Sequence, residues 1–195
     1  MKTKLIATIA ACALAGSAGA QVLNAPVDFT FTSWDGVVSS GIAGNPSYNN
    51  PANTANGSGI ASGPGPNDGI VFDLPAQTPT TFIYTFGAAE TITTFSINTL
   101  VGGAVDFGIR DFTLNLTDGT TTLATISDTA ALNNQEQVFL IGASGVTTAE
   151  LIVNSAYGIA TSAEFSEIRF NTVPEPSSAI LLGLGGLGFL ARRKR

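Results

Sequence analysis

Histidine is absent from this sequence, and cysteine nearly so. None of the 195 residues is His, the single Cys is Cys12, and no Lys occurs between Gln21 and Val173. A stretch without imidazole or thiol excludes Ser-His-Asp and Cys-His catalysis, disulfides, and metal sites built on those ligands. Its fold must therefore be stabilised by a hydrophobic core, which about 150 residues can supply.

Basic residues are also scarce in the middle of the chain. Between Gln21 and Val173, two arginines, Arg110 and Arg169, stand against thirteen acids, a formal net charge of −11. A body with that charge repels phosphate backbones and anionic lipid, and it attracts cations. We therefore expect no nucleic acid among its partners.

The first twenty residues have the pattern of an export signal. Two lysines and an apolar run precede the small residues Ala18 and Ala20. This order predicts a signal peptide over 1–20, cleaved after Ala20, and export by the Sec translocation machinery. There are two alternatives: a buried N-terminal helix, and a lipoprotein box ending in an acylated Cys12.

Prolines, an apolar run and a basic tip follow one another at the C-terminus. Pro174 and Pro176 stop any strand that enters from Phe170, because proline has no N–H for the ladder. The apolar run 179–191 would be about 20 Å long as a helix, against a hydrocarbon core of about 30 Å. Length alone also allows a core helix, but four terminal cations favour a short transmembrane helix with a cytoplasmic tip. These cations are Arg192, Arg193, Lys194 and Arg195.

Residues 173–195, with Val-Pro-Glu-Pro-Ser-Ser before the Gly-rich apolar run and the basic tip, resemble the PEP-CTERM sorting signal. The resemblance implies that an exosortase in the inner membrane recognises Pro174, Glu175 and Pro176 and removes the tail. It also implies a membrane-tethered intermediate. The final product would be released to the cell surface or extracellular matrix, or attached to exopolysaccharide there.

Between these ends, residues 21–172 alternate apolar and polar residues in short segments. Asp118-Gly119 predicts a two-residue hairpin turn, and no segment has a helical period. The pattern predicts one all-β domain, an antiparallel β-sandwich or jelly roll. The predicted strands are 27–34, 70–74, 80–86, 91–98, 104–109, 111–117, 120–126, 137–141, 147–153 and 165–171.

Four of these segments resemble strands of discoidin-type, galactose-binding-like jelly rolls. The resemblance rests on Ala89–Ile97, Ile109–Leu114, Leu151–Gly158 and Phe165–Phe170. Members of that family are mostly non-enzymatic modules that bind sugars or other surface ligands through loops at one end, and some hold a structural Ca²⁺. The resemblance transfers no individual ligand residue, because those loops diverge most.

A long polar loop, 39–69, is rich in Gly, Asn, Ser and Pro. A loop of that length is either functional or disordered. Asp68 within it and Asp73 just beyond it offer oxygen ligands for Ca²⁺, which prefers carboxylates and backbone carbonyls in irregular loops. No EF-hand spacing is present, and a solvated Asx-turn is the alternative.

Exposed aromatic rings beside amides and carboxylates are typical of sugar recognition. Tyr48 in the long loop, Trp34 before Asp35-Gly36, and Tyr157 are the candidate ligand-binding residues. For each of them, packing is the alternative, and Tyr84 is expected in the core.

Paired carboxylates are the remaining route to catalysis, since glycoside hydrolysis needs two acids across a cleft. Asp106 with Asp111, and Glu164 with Glu167, are the possible pairs. We expect them instead to occupy solvated outward positions of strands or to pair with the two arginines, so no enzyme is predicted. The predicted function is non-catalytic, structural or glycan-binding, within exopolysaccharide. The alternatives are a coat or spacer protein without a small ligand and a polysaccharide-processing enzyme.

Overall fold

The computed structural model describes residues 21–23, 25, 28–38, 50–56, 69–74, 78–99, 107–133, 135–158 and 162–172. Residues Val22–Thr172 cluster into one compact unit. Within the described ranges the chain is all β apart from one short 3-10 helix, as the alternating sequence pattern predicts.

Seven strands form the larger sheet. Its order is β1-β10-β5-β8-β6-β7, and β2 pairs with β5 outside that path. The registered pairs are antiparallel. The strands are β1 (Gln21–Leu23), β2 (Phe29–Trp34), β5 (Thr80–Ile97), β6 (Asp111–Thr117), β7 (Thr122–Thr129), β8 (Gln137–Val153) and β10 (Ile168–Thr172).

A second sheet of three strands has the order β3-β4-β9. Its strands are β3 (Val37–Val38), β4 (Gly69–Asp73) and β9 (Ser162–Ser166). Phe72 and Phe165 of this sheet contact Phe82 of the larger one edge-on, with ring centroids 5.1 and 4.9 Å apart. These aromatic contacts join the two sheets into a sandwich with one core.

Two strands are longer than the sequence pattern predicts. The segments 80–86 and 91–98 belong to one strand, β5, and 137–141 and 147–153 belong to β8. In β5 the pairing with β8 shifts register between Thr85 and Thr94, and the Gly87 N–H donates to the Asp28 carbonyl. Such bulges keep a strand continuous where its alternation is broken, so one element looks like two in the sequence.

Other boundaries also differ from the prediction. The segment 165–171 divides into β9 and β10, which belong to different sheets. The hairpin between β6 and β7 is present, but its loop runs over four residues, Asp118–Thr121, because the Asp118 carboxylate accepts backbone N–H bonds from Thr120 and Thr121. In the predicted strand 104–109, the described residues form only isolated bridges at Gly108 and Ile109.

The long loop contains a described turn of 3-10 helix, Pro51–Ala55. The Asn50 side chain caps it by accepting the Ala52 N–H at 3.0 Å. Thr54 is buried and its hydroxyl is hydrogen-bonded to the Tyr84 hydroxyl at 2.9 Å. Burial raises the pKa of Tyr84 far above its ordinary value, and its place in the core is as predicted.

Candidate functional site

Three strands, β2, β7 and β8, finish at one end of the sandwich, and β5 and β6 begin there; we call it the loop end. Trp34 pairs with Phe82 near the start of β5, and Thr80 pairs with Val153 at the end of β8. Val153 pairs in turn with Phe112 near the start of β6. Chain segments that leave or enter these strands therefore meet at the same edge of the sheet, where binding residues commonly lie.

A cavity of about 230 Å³ opens at the loop end between the two sheets' strands. Asp35, in the turn after β2, and Asp73, the last residue of β4, both line it, so two carboxylates converge there. Asp35 is fixed in place because its Oδ1 accepts the Thr81 N–H at 2.7 Å. The remaining lining residues are Gly36, Val37, Thr78, Pro79 and Thr80.

The Trp34 ring lies against Gly36, one of the residues that line this cavity. It packs on Phe82 with centroids 5.4 Å apart and edge-on to Phe72 at 6.2 Å, so part of it belongs to the core. A Cβ on Gly36 would lie 2.5 Å from two ring carbons, Cε3 and Cζ3. Gly36 is therefore the residue that lets the indole approach the cavity lining.

A second polar group at the loop end surrounds Arg110, and we call it the arginine cluster. The Arg110 guanidinium pairs with Asp111 at 2.8 Å, and both side chains are partly exposed. Ser155 and Thr129 also donate to the Asp111 carboxylate. These hydrogen bonds, that from Ser155 above all, followed by that from Arg110, hold the pKa of Asp111 below its ordinary value.

Tyr157 is half-buried beside the arginine cluster. Its hydroxyl donates to the Ala130 carbonyl at 2.8 Å, and its backbone N–H donates to the Gly108 carbonyl at 2.9 Å. Through its hydroxyl and its backbone N–H, Tyr157 thus connects two chain segments that lead into the loop end. A ring held in this way can serve as a rigid contact surface, while its hydroxyl is already engaged inside the protein.

The acidic pairs differ from expectation in one respect. Asp111 is the partner of Arg110, as predicted, whereas Asp106 lies outside the described residues. Glu164 and Glu167 were expected at solvated outward positions, and this was wrong: they are 1% and 2% exposed. The physical reason is their place in the fold: Glu164 lies inside β9, bridged to β4 on one side and to Gly108 on the other, and Glu167 lies where the chain crosses from β9 to β10.

Sequence patterns missed two residues that shape the loop end, Asp35 and Ser155. Asp35-Gly36 directly after a strand is a turn signal, and an acid at such a turn projects where strands end. Nothing in the sequence pairs Ser155 with Asp111, since the contact depends on β6 and β8 being neighbours.

Several predicted site residues lie outside the described residues. They are Ala18, Ala20, Tyr48, Asp68, Pro174, Glu175, Pro176, Arg192, Arg193, Lys194 and Arg195. The signal peptide 1–20 and the apolar run 179–191 lie outside them as well. In the part of the chain that the structure does describe, no helix has the length and apolar character needed to cross a membrane.

Among the residues that the structure describes, no group of three or more Asp, Glu, His or Cys side chains lies close enough together to hold a metal ion. Asp35 and Asp73 line one cavity as a pair. A cation at this cavity would need further oxygen ligands from backbone carbonyls, from water or from the long loop.

The chain matches one protein-family model and a set of solved structures. Residues 172–195 match the family model for the PEP-CTERM protein-sorting motif. This confirms the resemblance of the C-terminal residues. No curated protein matches the chain.

Solved structures share the fold of the body. A fragment of a putative chitobiase from Bacteroides thetaiotaomicron aligns with TM-score 0.59 and 9% identity, over 78% of this chain and 93% of that one. The C-terminal domain of a chitobiase from Bacteroides fragilis aligns with TM-score 0.57 and 15% identity, over 78% and 99%. A CBM32 module from Clostridium perfringens, solved with GalNAc-β-1,3-galactose, aligns with TM-score 0.52 and 14% identity, over 73% and 94%.

Because the sequence identities are low, these likenesses establish the fold alone. They confirm the predicted discoidin-like jelly roll. The chain therefore has a β-sandwich with the fold of CBM32 modules, followed in the sequence by a PEP-CTERM sorting motif at the C-terminus.

Proposed function

We propose that this protein is an exported, non-catalytic glycan-binding protein of the cell surface or exopolysaccharide matrix, and that the loop end is its binding site. The fold carries this proposal. Solved structures with the same fold include modules in complex with GalNAc-β-1,3-galactose and with galactose. Together with the sorting motif, this supports delivery of a sugar-binding module to the outside of the cell.

The chemistry of the loop end suits a neutral sugar. A pyranose presents hydroxyl edges and an apolar face, so it needs hydrogen-bond acceptors next to an aromatic surface. The cavity supplies Asp35 and Asp73, and the Trp34 ring lies against Gly36 of its lining. Tyr157 lies at the same end, next to the arginine cluster, and Tyr48 of the long loop is proposed as a further contact.

Calcium is proposed as a supporting ion at this end, with Asp73, which lines the cavity, as a ligand. Asp68 immediately precedes β4 and Asp73 is the last residue of that strand, so β4 keeps the two about 16 Å apart and they would not share one ion. Carboxylates, backbone carbonyls and water are the oxygen donors that Ca²⁺ takes, and Asp35 is the second carboxylate at the cavity.

Glycan-array binding of the full chain, with and without EDTA, tests the proposal. We expect binding to neutral sugars, and we expect the pair of changes Asp35→Asn and Asp73→Asn to weaken it by about tenfold, since charge-assisted hydrogen bonds are lost. Asp118→Asn, in the hairpin turn at the far end of β6, is the matched control and should bind as the parent does. EDTA sensitivity reports on the calcium ion alone.

Absence of binding to every sugar tested, under either condition, would remove the glycan-binding function. The purely structural coat or spacer protein would then account better for the chain. Turnover of the cell's own polymer, lost on changing one acidic pair, would instead favour the enzyme.

The proposed route to the cell surface has four parts. They are a signal peptide cleaved after Ala20, Sec export, a membrane-tethered intermediate held by 179–191 and the basic tip, and exosortase cleavage at Pro174-Glu175-Pro176. Mass spectrometry of the mature protein should find an N-terminus at Gln21 and no Arg192–Arg195. A secreted form that still ends at Arg195 would contradict the sorting step, and an acylated Cys12 would show a lipoprotein instead.

A further inference from the structure

Five threonines form a row across the outer side of the larger sheet. Each belongs to a different strand and pairs with the next, and the last pair lies at a register shift between β6 and β7. The pairs are Thr30 with Thr85, Thr85 with Thr148, Thr148 with Thr117, and Thr117 with Thr122. Since strands lie about 4.8 Å apart, the row is about 19 Å long. All five side chains are exposed or half-buried.

The two neighbouring rows continue this surface, which we call the threonine face. In order across the strands, the next row is Ser33, Ile83, Glu150, Asn115 and Thr125. Beyond it lie Thr81, Ile152, Thr113 and Ser127. Of the residues in these three rows, Glu150 is the single one that ionises.

Several polar side chains of the threonine face are held by one another. The hydroxyls of Thr113 and Ser127 are hydrogen-bonded at 3.0 Å, and the Thr125 hydroxyl donates to Asn115 at 2.8 Å. Thr32, at the bulge in β2, bonds to Thr85 at 2.7 Å. Side chains fixed in this way lose little further entropy when a partner binds.

The threonine face shares the acidic character of the body and has no basic residue. Thirteen acids stand against two arginines between Gln21 and Val173, and the fourteen residues of the three rows contain one acid, Glu150, and no base. A polyanion would be repelled by the body and would find no cation here. Along the row of five threonines, a neutral partner rich in hydroxyls meets donors and acceptors and no charged side chain.

We propose that the threonine face binds an uncharged, unbranched polysaccharide chain that runs along the row of five threonines. One strand spacing, about 4.8 Å, is close to the length of one pyranose ring with its linkage oxygen. Successive sugars therefore meet successive strands. Ile83, two residues from Thr85 on the same side of β5, supplies an apolar contact beside the row. This proposal rests on the proposed glycan-binding function and adds a polymer site that is separate from the loop end.

Affinity electrophoresis of the full chain, in mild detergent and in gels containing hydroxyethyl cellulose, tests this site. The double variant Thr85→Glu and Thr117→Glu should bind the polymer about tenfold more weakly, because it places two anions in the row. The matched control is Val138→Glu with Leu140→Glu, two exposed positions of β8 away from the face, and it should migrate as the parent does. Alginate, a polyanion, should retard none of them.

The double variant Thr85→Val and Thr117→Val keeps the β-branched shape and removes the hydroxyls, so it decides the outcome if the glutamate variant does not fold. We expect it to weaken polymer binding by a few-fold, since neutral hydrogen bonds are lost. GalNAc-β-1,3-galactose, measured with the same proteins, separates the two sites. Its binding should be weakened about tenfold in Asp35→Asn with Asp73→Asn and kept in the threonine variants.

A parent chain that binds the disaccharide but not hydroxyethyl cellulose would overturn the threonine-face proposal and leave the loop-end function intact. Polymer binding that is lost only in the loop-end variant would also overturn it, since the polymer would then enter at the loops. A parent dimer in sedimentation that the threonine variants dissociate would assign the face to a second copy of this chain.

Discussion

The two faces of the same five strands differ almost completely in composition. Consecutive residues of each strand point to opposite sides, so neighbouring rows can be compared directly. One inward row is Trp34, Phe82, Leu151, Leu114 and Ile126, and the outward row beside it is Ser33, Ile83, Glu150, Asn115 and Thr125. The inner face supplies the apolar burial that stabilises the fold. The outer face keeps strand propensity through β-branched residues and is free to serve binding.

The largest effect expected from this comparison is at the centre of the inner face. Phe82 is fully buried and contacts Trp34, Phe72 and Phe165. Phe82→Ala should lower the free energy of unfolding by about 3–5 kcal/mol, because it removes apolar burial and leaves a cavity. Denaturant unfolding followed by the fluorescence of Trp34, the single Trp of the chain, measures it.

Its matched control is the adjacent outward residue, Ile83. The half-buried Ile83 pairs with Glu150 on the solvent side, so Ile83→Ala should cost about 1 kcal/mol or less. Equal losses for Phe82→Ala and Ile83→Ala would show that both faces contribute to the core and would remove the contrast between them.

A smaller effect is expected where the inner face meets the cavity. Gly36→Ala would place a Cβ 2.5 Å from the Trp34 ring and 2.6 Å from Cγ2 of Thr80. One of these neighbours must move, and overpacking of this kind costs about 1–3 kcal/mol. A shift in the emission of Trp34 would show that its ring moves, and unchanged emission would show that Thr80 moves instead.

Gly142→Ala in β8 is the control, since a Cβ at that position meets nothing within 4 Å. We expect its unfolding midpoint to change by less than the Gly36→Ala midpoint. If the two variants were equally stable, the close approach of Gly36 to the indole would not contribute to stability.

The alternating pattern of the sequence predicts which residues face inward, but not where strands end. Phe112, Leu114 and Leu116 alternate cleanly and all are buried, as expected. The breaks predicted between 86 and 91 and between 141 and 147 do not exist, because bulges carry β5 and β8 through them. Bulges depend on the neighbouring strand, which a local pattern does not contain.

In the candidate site too, residue type could be predicted from the sequence, whereas the spatial arrangement could not. Trp34 and Asp73 could be selected from residue type and position at strand ends. Their convergence with Asp35 depends on β2, β4 and β5 meeting at one edge. The burial of Glu164 and Glu167 was missed because acids are normally exposed, and here their place in the fold overrides that tendency.

The smallest expected effect concerns the arginine cluster, at the edge between the two faces. The pKa of Asp111 lies below its ordinary value of 3.8, mainly because of the Ser155 hydrogen bond. A carboxyl group with a lowered folded-state pKa stabilises the fold above the unfolded pKa, and this contribution is lost as the pH falls through the folded pKa. Asp111 is partly exposed, so we expect a contribution of about 0.2–1 kcal/mol at neutral pH.

Titration of the Asp111 carboxyl by NMR, in the parent and in Ser155→Ala, measures this directly. Removing the hydroxyl should raise the pKa of Asp111 toward its ordinary value, while Arg110 and Thr129 keep part of the shift. Asp111→Asn should make stability less dependent on pH below pH 3.8. At these pH values the parent takes up a proton on residue 111 when it unfolds, and the asparagine variant does not. An unchanged pKa in Ser155→Ala would mean that Arg110 dominates. Salt should then abolish the shift, since exposed ion pairs are screened and hydrogen bonds to a buried hydroxyl are not.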